Sequence, residues 1–178
     1  LRWPGRNIAF LGILATMMLP DQVTLIPQYI LFKQFGWIDT WQPLWVPAFF
    51  GSAFYIFLLR QFFLTIPTEL EDAAKIDGAS FFTTYWKIML PLVKPALASV
   101  IVFSFIGSWN NFLGPLIYIN TPEKMPISLA LRLFQTLHGA EYGLMMAAST
   151  IATLPIVILF FFTQRYFIQG IVLTGLKG

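Results

Sequence analysis

Four places in this sequence gather side chains able to bind or stack on something. Residues 68–78, TELEDAAKIDG, hold Glu69, Glu71, Asp72 and Asp77 around Lys75 and end on Gly78. Trp109-Asn110-Asn111 sits in an otherwise apolar stretch just before Gly114-Pro115. Amides hydrogen-bond hydroxyl groups and an indole can stack on a sugar ring, but polar residues in apolar helices also bind helices to one another. Asp21-Gln22 interrupts a third apolar run; an acid in such a place is either functional or sits at a break reached by water. His138 is the only histidine and has no second ligand nearby, so no metal site is expected. The absence of cysteine removes disulfides, thiolate metal sites and thiol nucleophiles. There is no glycine-rich phosphate loop, so the chain should not hydrolyse ATP itself. These side chains predict recognition, with no catalytic residues, no metal and no cofactor.

The elements that hold these groups are written for lipid. The chain has 178 residues, of which 57% are hydrophobic and only 11% charged, against about 25% charged in soluble domains. Nineteen phenylalanines would need a larger interior than 20.3 kDa encloses, and the mean hydropathy is +0.72. The net charge of +3 is scattered over the chain, which argues against nucleic acid as a partner. A crossing helix needs roughly 20 apolar residues. The sequence predicts one all-α, polytopic membrane domain over 1–178 with spans at about 7–32, 42–64, 95–119 and 143–165. The first is expected to be kinked at Pro20-Asp21-Gln22. Arg2, Arg6, Arg60, Lys75, Lys87, Lys94, Arg165 and Lys177 flank one side of these spans, and Lys33, Lys124 and Arg132 the other. Eight against three predicts that both ends and the 66–94 loop are cytoplasmic and the 120–142 loop is outside. Within that outer loop, Pro126 followed by Ile127, Leu129, Leu131 and Leu133-Phe134 predicts a short helix at the membrane surface, either facing a partner or anchoring the loop.

The 66–94 loop is more than a connector. Pro67 should stop the preceding helix, and Thr68 with Glu71 matches a capping box. Glu69, Glu71 and Asp72 load the first turn with negative charge, favourable against the helix dipole. Gly78 permits a positive-φ turn, and Ser80 can cap a second helix running over Phe81–Leu90 until Pro91. Such a helix–turn–helix could dock in another protein's groove or simply fold back as a linker.

Its residues resemble the EAA loop of ABC importer permeases. That family's pattern is Glu-Ala-Ala, three residues, Gly, nine residues, Ile-x-Leu-Pro, and here it falls on Asp72-Ala73-Ala74, Gly78 and Ile88-Met89-Leu90-Pro91 with both gaps intact. Asp72 in place of Glu keeps the charge and shortens its reach. The form LEDAAKIDGAS and the tail GLKG are similar to the carbohydrate-uptake branch of the maltose and glycerol-phosphate type. The resemblance implies four spans of a six-helix permease fold, the first two spans lying upstream, in a bacterial-type plasma membrane. It further implies a second permease subunit, cytoplasmic ATP-binding subunits and an extracytoplasmic solute-binding protein, with a sugar or polyol translocated. Glu71, Asp72, Ala73, Ala74, Asp77, Gly78 and Ala79 would form the contact with the ATPase, and Trp109, Asn110 and Asn111 are candidates to line the pore. An ion-coupled transporter fragment would show paired intramembrane acids and inverted repeats, yet only Asp21 is present and no repeat links 7–66 with 95–165. A non-transporting membrane scaffold is the other reading, and the loop motif argues against it.

Overall fold

The structure, a computed structural model, describes residues 4–136 and 139–175. Its helices are α1 (Arg6–Thr16), α2 (Asp21–Gln34), α3 (Gln42–Trp45), α4 (Ala53–Leu64), α5 (Thr68–Ile76), α6 (Phe81–Thr84), α7 (Leu90–Leu92), α8 (Lys94–Trp109), α9 (Leu113–Tyr118), α10 (Ile127–Ala130) and α11 (Tyr142–Gly175). The all-helical class read from the sequence is the class found, apart from a two-residue antiparallel ladder pairing Gln135 with Ala140.

Gln42–Leu64 and Tyr142–Gln164 are each 23 residues long and apolar enough to cross a membrane. The first is not one uniform helix, since a 3-10 turn over Val46–Phe50 follows α3 and Gly51 at φ 81 separates it from α4. Arg60 lies inside α4, one turn before its end, rather than beyond it. Two further apolar pairs are bent: α1 and α2 meet at 90°, and the Phe81–Leu92 segment meets α8 at 68°. The α1–α2 corner falls at the expected Pro20-Asp21, where proline cannot donate into a continuing helix. Along α11, Leu144, Met146, Ile151, Leu154, Ile158 and Phe161 form one broad exposed apolar face, while Met145, Ala152 and Leu159 on the opposite side are half-buried and Thr163 is buried. An exposed apolar face of that size fits an apolar surrounding, in line with a segment long and apolar enough to cross a membrane.

Two compact units make up the chain, one taking residues up to Ala53 with Ile106–Val157, the other Phe54–Phe105 with Ile158 onward. The first is held by an aromatic cluster. Phe32 packs its ring against Trp37 at 5.6 Å and edge-on to Tyr118 at 5.4 Å, while Tyr29 stacks on Tyr118 at 6.4 Å. The second unit is centred on small residues: Val93, Ala96, Ala98 and Val102 are buried together with Ala74 and Thr84.

Candidate functional site

In the second unit, α5 begins one residue earlier than the capping-box reading requires. Pro67, extended at φ −59 and ψ 135, occupies the cap position, so Thr68 is already helical and its hydroxyl caps nothing. Glu71 instead lies 3.6 Å from Lys75, and Asp72 accepts from the same ammonium at 3.1 Å. The hydrogen bond to Asp72, with the charges of Asp72 and Glu71, holds the Lys75 ammonium above its ordinary pKa. The acidic residues of this segment are thus partly neutralised along one helix face.

The end of α5 is a complete Schellman turn. Asp77 ends the helix, Gly78 takes φ 75, its N–H donates to Lys75 O at 3.0 Å, and the N–H of Ala79 donates to Ala74 O at 2.9 Å. The chain then enters α6 through Ser80, whose hydroxyl accepts from the N–H of Thr83 at 3.2 Å. The second helix does not end at Pro91. Tyr85–Met89 forms a π-turn, after which the helix continues through Pro91 to Leu92. A proline ring clashes with the carbonyl four residues back, here Lys87, and a widened turn there makes room for it.

This geometry sorts the residues singled out by sequence. Asp72, Ala73, Asp77 and Gly78 are exposed, Glu71 and Ala79 are half-buried, and Ala74 is turned inward at 3% exposure. Beside them Ile76 is 86% exposed and Phe82 72%, with Phe81 and Trp86 also at the surface. The α5–α6 turn therefore presents small residues and an exposed glycine, with acidic groups and large apolar side chains exposed beside them.

The expected span over 95–119 is broken. α8 has 16 residues, about 24 Å of helix, short of the roughly 30 Å hydrocarbon core. The break covers Asn110–Phe112, in the first unit, and α9 follows. Pro115, fully buried, has no N–H to give the carbonyl of Asn111 four residues back; the hydroxyl of Ser128 on α10 donates to that carbonyl instead, at 2.7 Å. The Asn111 side chain turns inward, its Oδ1 accepting from Gly114 N–H at 3.1 Å. A Cβ on Gly114 would stand 2.9 Å from Asn111 Nδ2, so a larger residue there would displace the amide. Trp109 Nε1 donates to the carbonyl of Ala152 on α11 at 2.9 Å, one turn before Pro155. Of the three residues proposed as pore-lining, Trp109 and Asn111 are therefore engaged in holding the break. Asn110 is the one whose side chain is exposed at it.

One cluster escaped sequence reading. Asp39, at φ 60, extends its carboxylate to the 120–124 segment, accepting from Asn120 N–H at 2.9 Å, Thr121 N–H at 2.8 Å, Thr121 Oγ1 at 2.6 Å and Lys124 Nζ at 2.8 Å. Lys124 also donates to the Asp39 carbonyl, Trp41 Nε1 donates to Lys124 O at 3.0 Å, and Asp39 N–H donates to Tyr118 O at 2.7 Å. The Lys124 ammonium, then the Thr121 hydroxyl and the two backbone N–H groups, hold the Asp39 carboxyl well below the usual carboxylate range. No local pattern marks this site, because its partners lie 81–85 residues away. The only cue was an aspartate, which tolerates left-handed backbone, in a loop. Asp21 is the exposed first residue of α2, just after the α1–α2 corner. No group of three or more metal-binding side chains occurs among the described residues, and His138 lies outside them.

The broken apolar helices and the exposed acidic turn define a class of membrane component, and a family model says which. Residues 1–172 match the family described as binding-protein-dependent transport system inner membrane component, and the chain belongs to it. Among its relatives, the arabinooligosaccharides transport system permease protein AraQ of Halalkalibacterium halodurans is 37% identical over 98% of this chain and 62% of its own length. The lactose transport system permease protein LacG of Rhizobium radiobacter is 36% identical over 93% of this chain and 60% of its own. The sn-glycerol-3-phosphate transport system permease protein UgpE of Yersinia pestis bv. Antiqua is 35% identical over 96% and 61%. The chain spans about three-fifths of the length of these curated relatives.

Proposed function

We propose that this chain is the pore-forming part of a permease subunit in an ATP-driven importer, translocating a sugar or related polyol delivered by an extracytoplasmic binding protein. The observation that carries the reading is the α5–Gly78–α6 turn, where the Asp72-Ala73-Ala74…Gly78 spacing meets an exposed Schellman turn inside a chain of this family. The relatives named for arabinooligosaccharides, lactose and glycerol phosphate support a carbohydrate or polyol cargo. In this reading the exposed side of α5 and the turn after it dock on a cytoplasmic ATP-binding subunit, which supplies the hydrolysis this chain lacks. Asp72, Ala73, Asp77 and Gly78 make the contact, Glu71 and Ala79 border it, and Ala74 anchors α5 to the permease from behind. The exposed apolar side chains Ile76 and Phe82 extend the docking surface beyond the motif. A second permease subunit completes the pore and covers apolar faces such as that of α11. Asn110, at the helix break, faces the pathway.

The test is copurification. Membranes containing the tagged full-length permease should yield the ATP-binding subunits and the second permease together, and ATP hydrolysis should rise when loaded binding protein is added. A tagged permease that purifies alone, or hydrolysis indifferent to binding protein, would refute the importer assignment.

A further inference from the structure

We infer that Ser128 is a positioning residue for the translocation pathway: by taking the Asn111 carbonyl that Pro115 leaves without a helical donor, it holds open the α8–α9 break and so fixes where Asn110 faces. The inference rests on the reading that Asn110 lines that pathway.

An apolar helix closes any break it can, because an unpaired carbonyl away from water is costly and the adjacent N–H groups are the nearest donors. Closure over 110–112 is opposed at two points: Asn111 Oδ1 takes the Gly114 N–H, and Pro115 has no N–H, which leaves Asn111 C=O without a helical donor. Ser128 Oγ meets that carbonyl at 2.7 Å. It is delivered by α10, whose neighbouring Leu129 is 2% exposed and therefore fixed in the interior. The carbonyl of Asn111 is thus held from α10 and its side chain by Gly114 N–H. Asn110 lies between that held residue and the last turn of α8, where its N–H donates to Ile106 O at 3.0 Å, so its direction depends on both anchors. The side chain facing the break is thus defined by two residues that do not face it. The same bond ties the 119–134 segment to the break, so a force on that segment reaches Asn110 through one hydroxyl.

The chain has no cysteine, which gives a readout independent of knowing the cargo. Asn110→Cys is introduced into the full-length permease with any cysteine outside these residues replaced, assembled with its partner subunits in membrane vesicles, and its labelling rate by a charged methanethiosulfonate is measured against the same cysteine-free permease as blank. Ser128→Ala in that background should change the rate roughly three- to tenfold, the factor to which loss of one ordinary hydrogen bond converts. Ser128→Thr, which keeps the hydroxyl, should restore it. Ser128→Val, the same size as threonine without the hydroxyl, should behave like Ser128→Ala and serves if the alanine variant does not assemble. A rate that labels readily but is indifferent to all three substitutions overturns the role of Ser128 and leaves the pathway reading standing. No labelling at Asn110→Cys, where Lys124→Cys labels in parallel, overturns the pathway reading and the inference with it. Lower permease levels with an unchanged rate per assembled complex would make Ser128 a stability residue only, which also refutes the inference.

Discussion

Substitution of Gly78 separates backbone conformation from contact. Gly78 sits at φ 75, and a Cβ built there would have nothing within 4 Å. A Cβ therefore meets no clash among the described residues, and its cost there is that of left-handed backbone, about 1–2 kcal/mol for an ordinary L-residue. Asparagine tolerates this region and should cost least, alanine the ordinary amount, and a β-branched valine more. A penalty of about 1–2 kcal/mol is a factor of about 5–30 in the population of the native turn. When the turn is lost, so are the hydrogen bonds of Gly78 and Ala79 to the end of α5, and Ser80 no longer begins α6 at the same angle. The order of ATPase copurification and of labelled-substrate uptake in vesicles should be Gly, then Asn, then Ala, then Val, with permease levels in the membrane unchanged. Normal copurification and uptake in Gly78→Val would refute the docking role of the turn. An asparagine as damaging as valine would refute the conformational argument and point instead to the space a partner occupies outside Gly78.

Asp39→Asn should lower the thermal midpoint of the detergent-solubilised permease at pH 7, read by tryptophan fluorescence. Because the folded carboxyl is held below its unfolded value of about 3.9, its contribution is complete above that pH and fades as pH falls through the folded value, so the gap between the two proteins should narrow below about pH 4. Cysteines replacing Lys75 and Lys124 should label from opposite sides of the membrane with an impermeant reagent; labelling of both from outside would overturn the proposed orientation. Gly114→Ala should cost about 1–3 kcal/mol on thermal unfolding, since its Cβ would press within 2.9 Å of the Asn111 amide. Adding Asn111→Ala should recover part of that loss, and a double variant no more stable than Gly114→Ala alone would show that the clash is not its cause.

Local signals in this sequence were legible where one residue decides the outcome. Gly78 marks its own positive-φ turn, and Ser80 its own cap, because both bonds close within five residues. Thr68 misled for an equally local reason: Pro67 already fixes an extended entry, so the helix starts at Thr68 and there is no cap for its hydroxyl to make. The π-turn before Pro91 was hidden because a proline at the start of a helix and one accommodated inside it read alike. At Trp109-Asn110-Asn111 composition showed a polar interruption, but not that two of its three members are engaged inward, since Ala152 and Ser128 come from distant parts of the chain. The Asp39 cluster was illegible for that reason alone, as nothing near Asp39 hints at Lys124.

The long reach of Asp39 has a consequence for biogenesis. Its carboxylate acquires partners only once residues 120–124 have been synthesised, some 81–85 positions later. At about 5–20 residues per second that is an interval of roughly 4–17 s in which Asp39 is a lone charge in a left-handed loop it has little reason to adopt. The α2–α3 connection thus emerges unfinished from the ribosome, and the arrival of a lysine and a threonine from the far side of the sequence completes it.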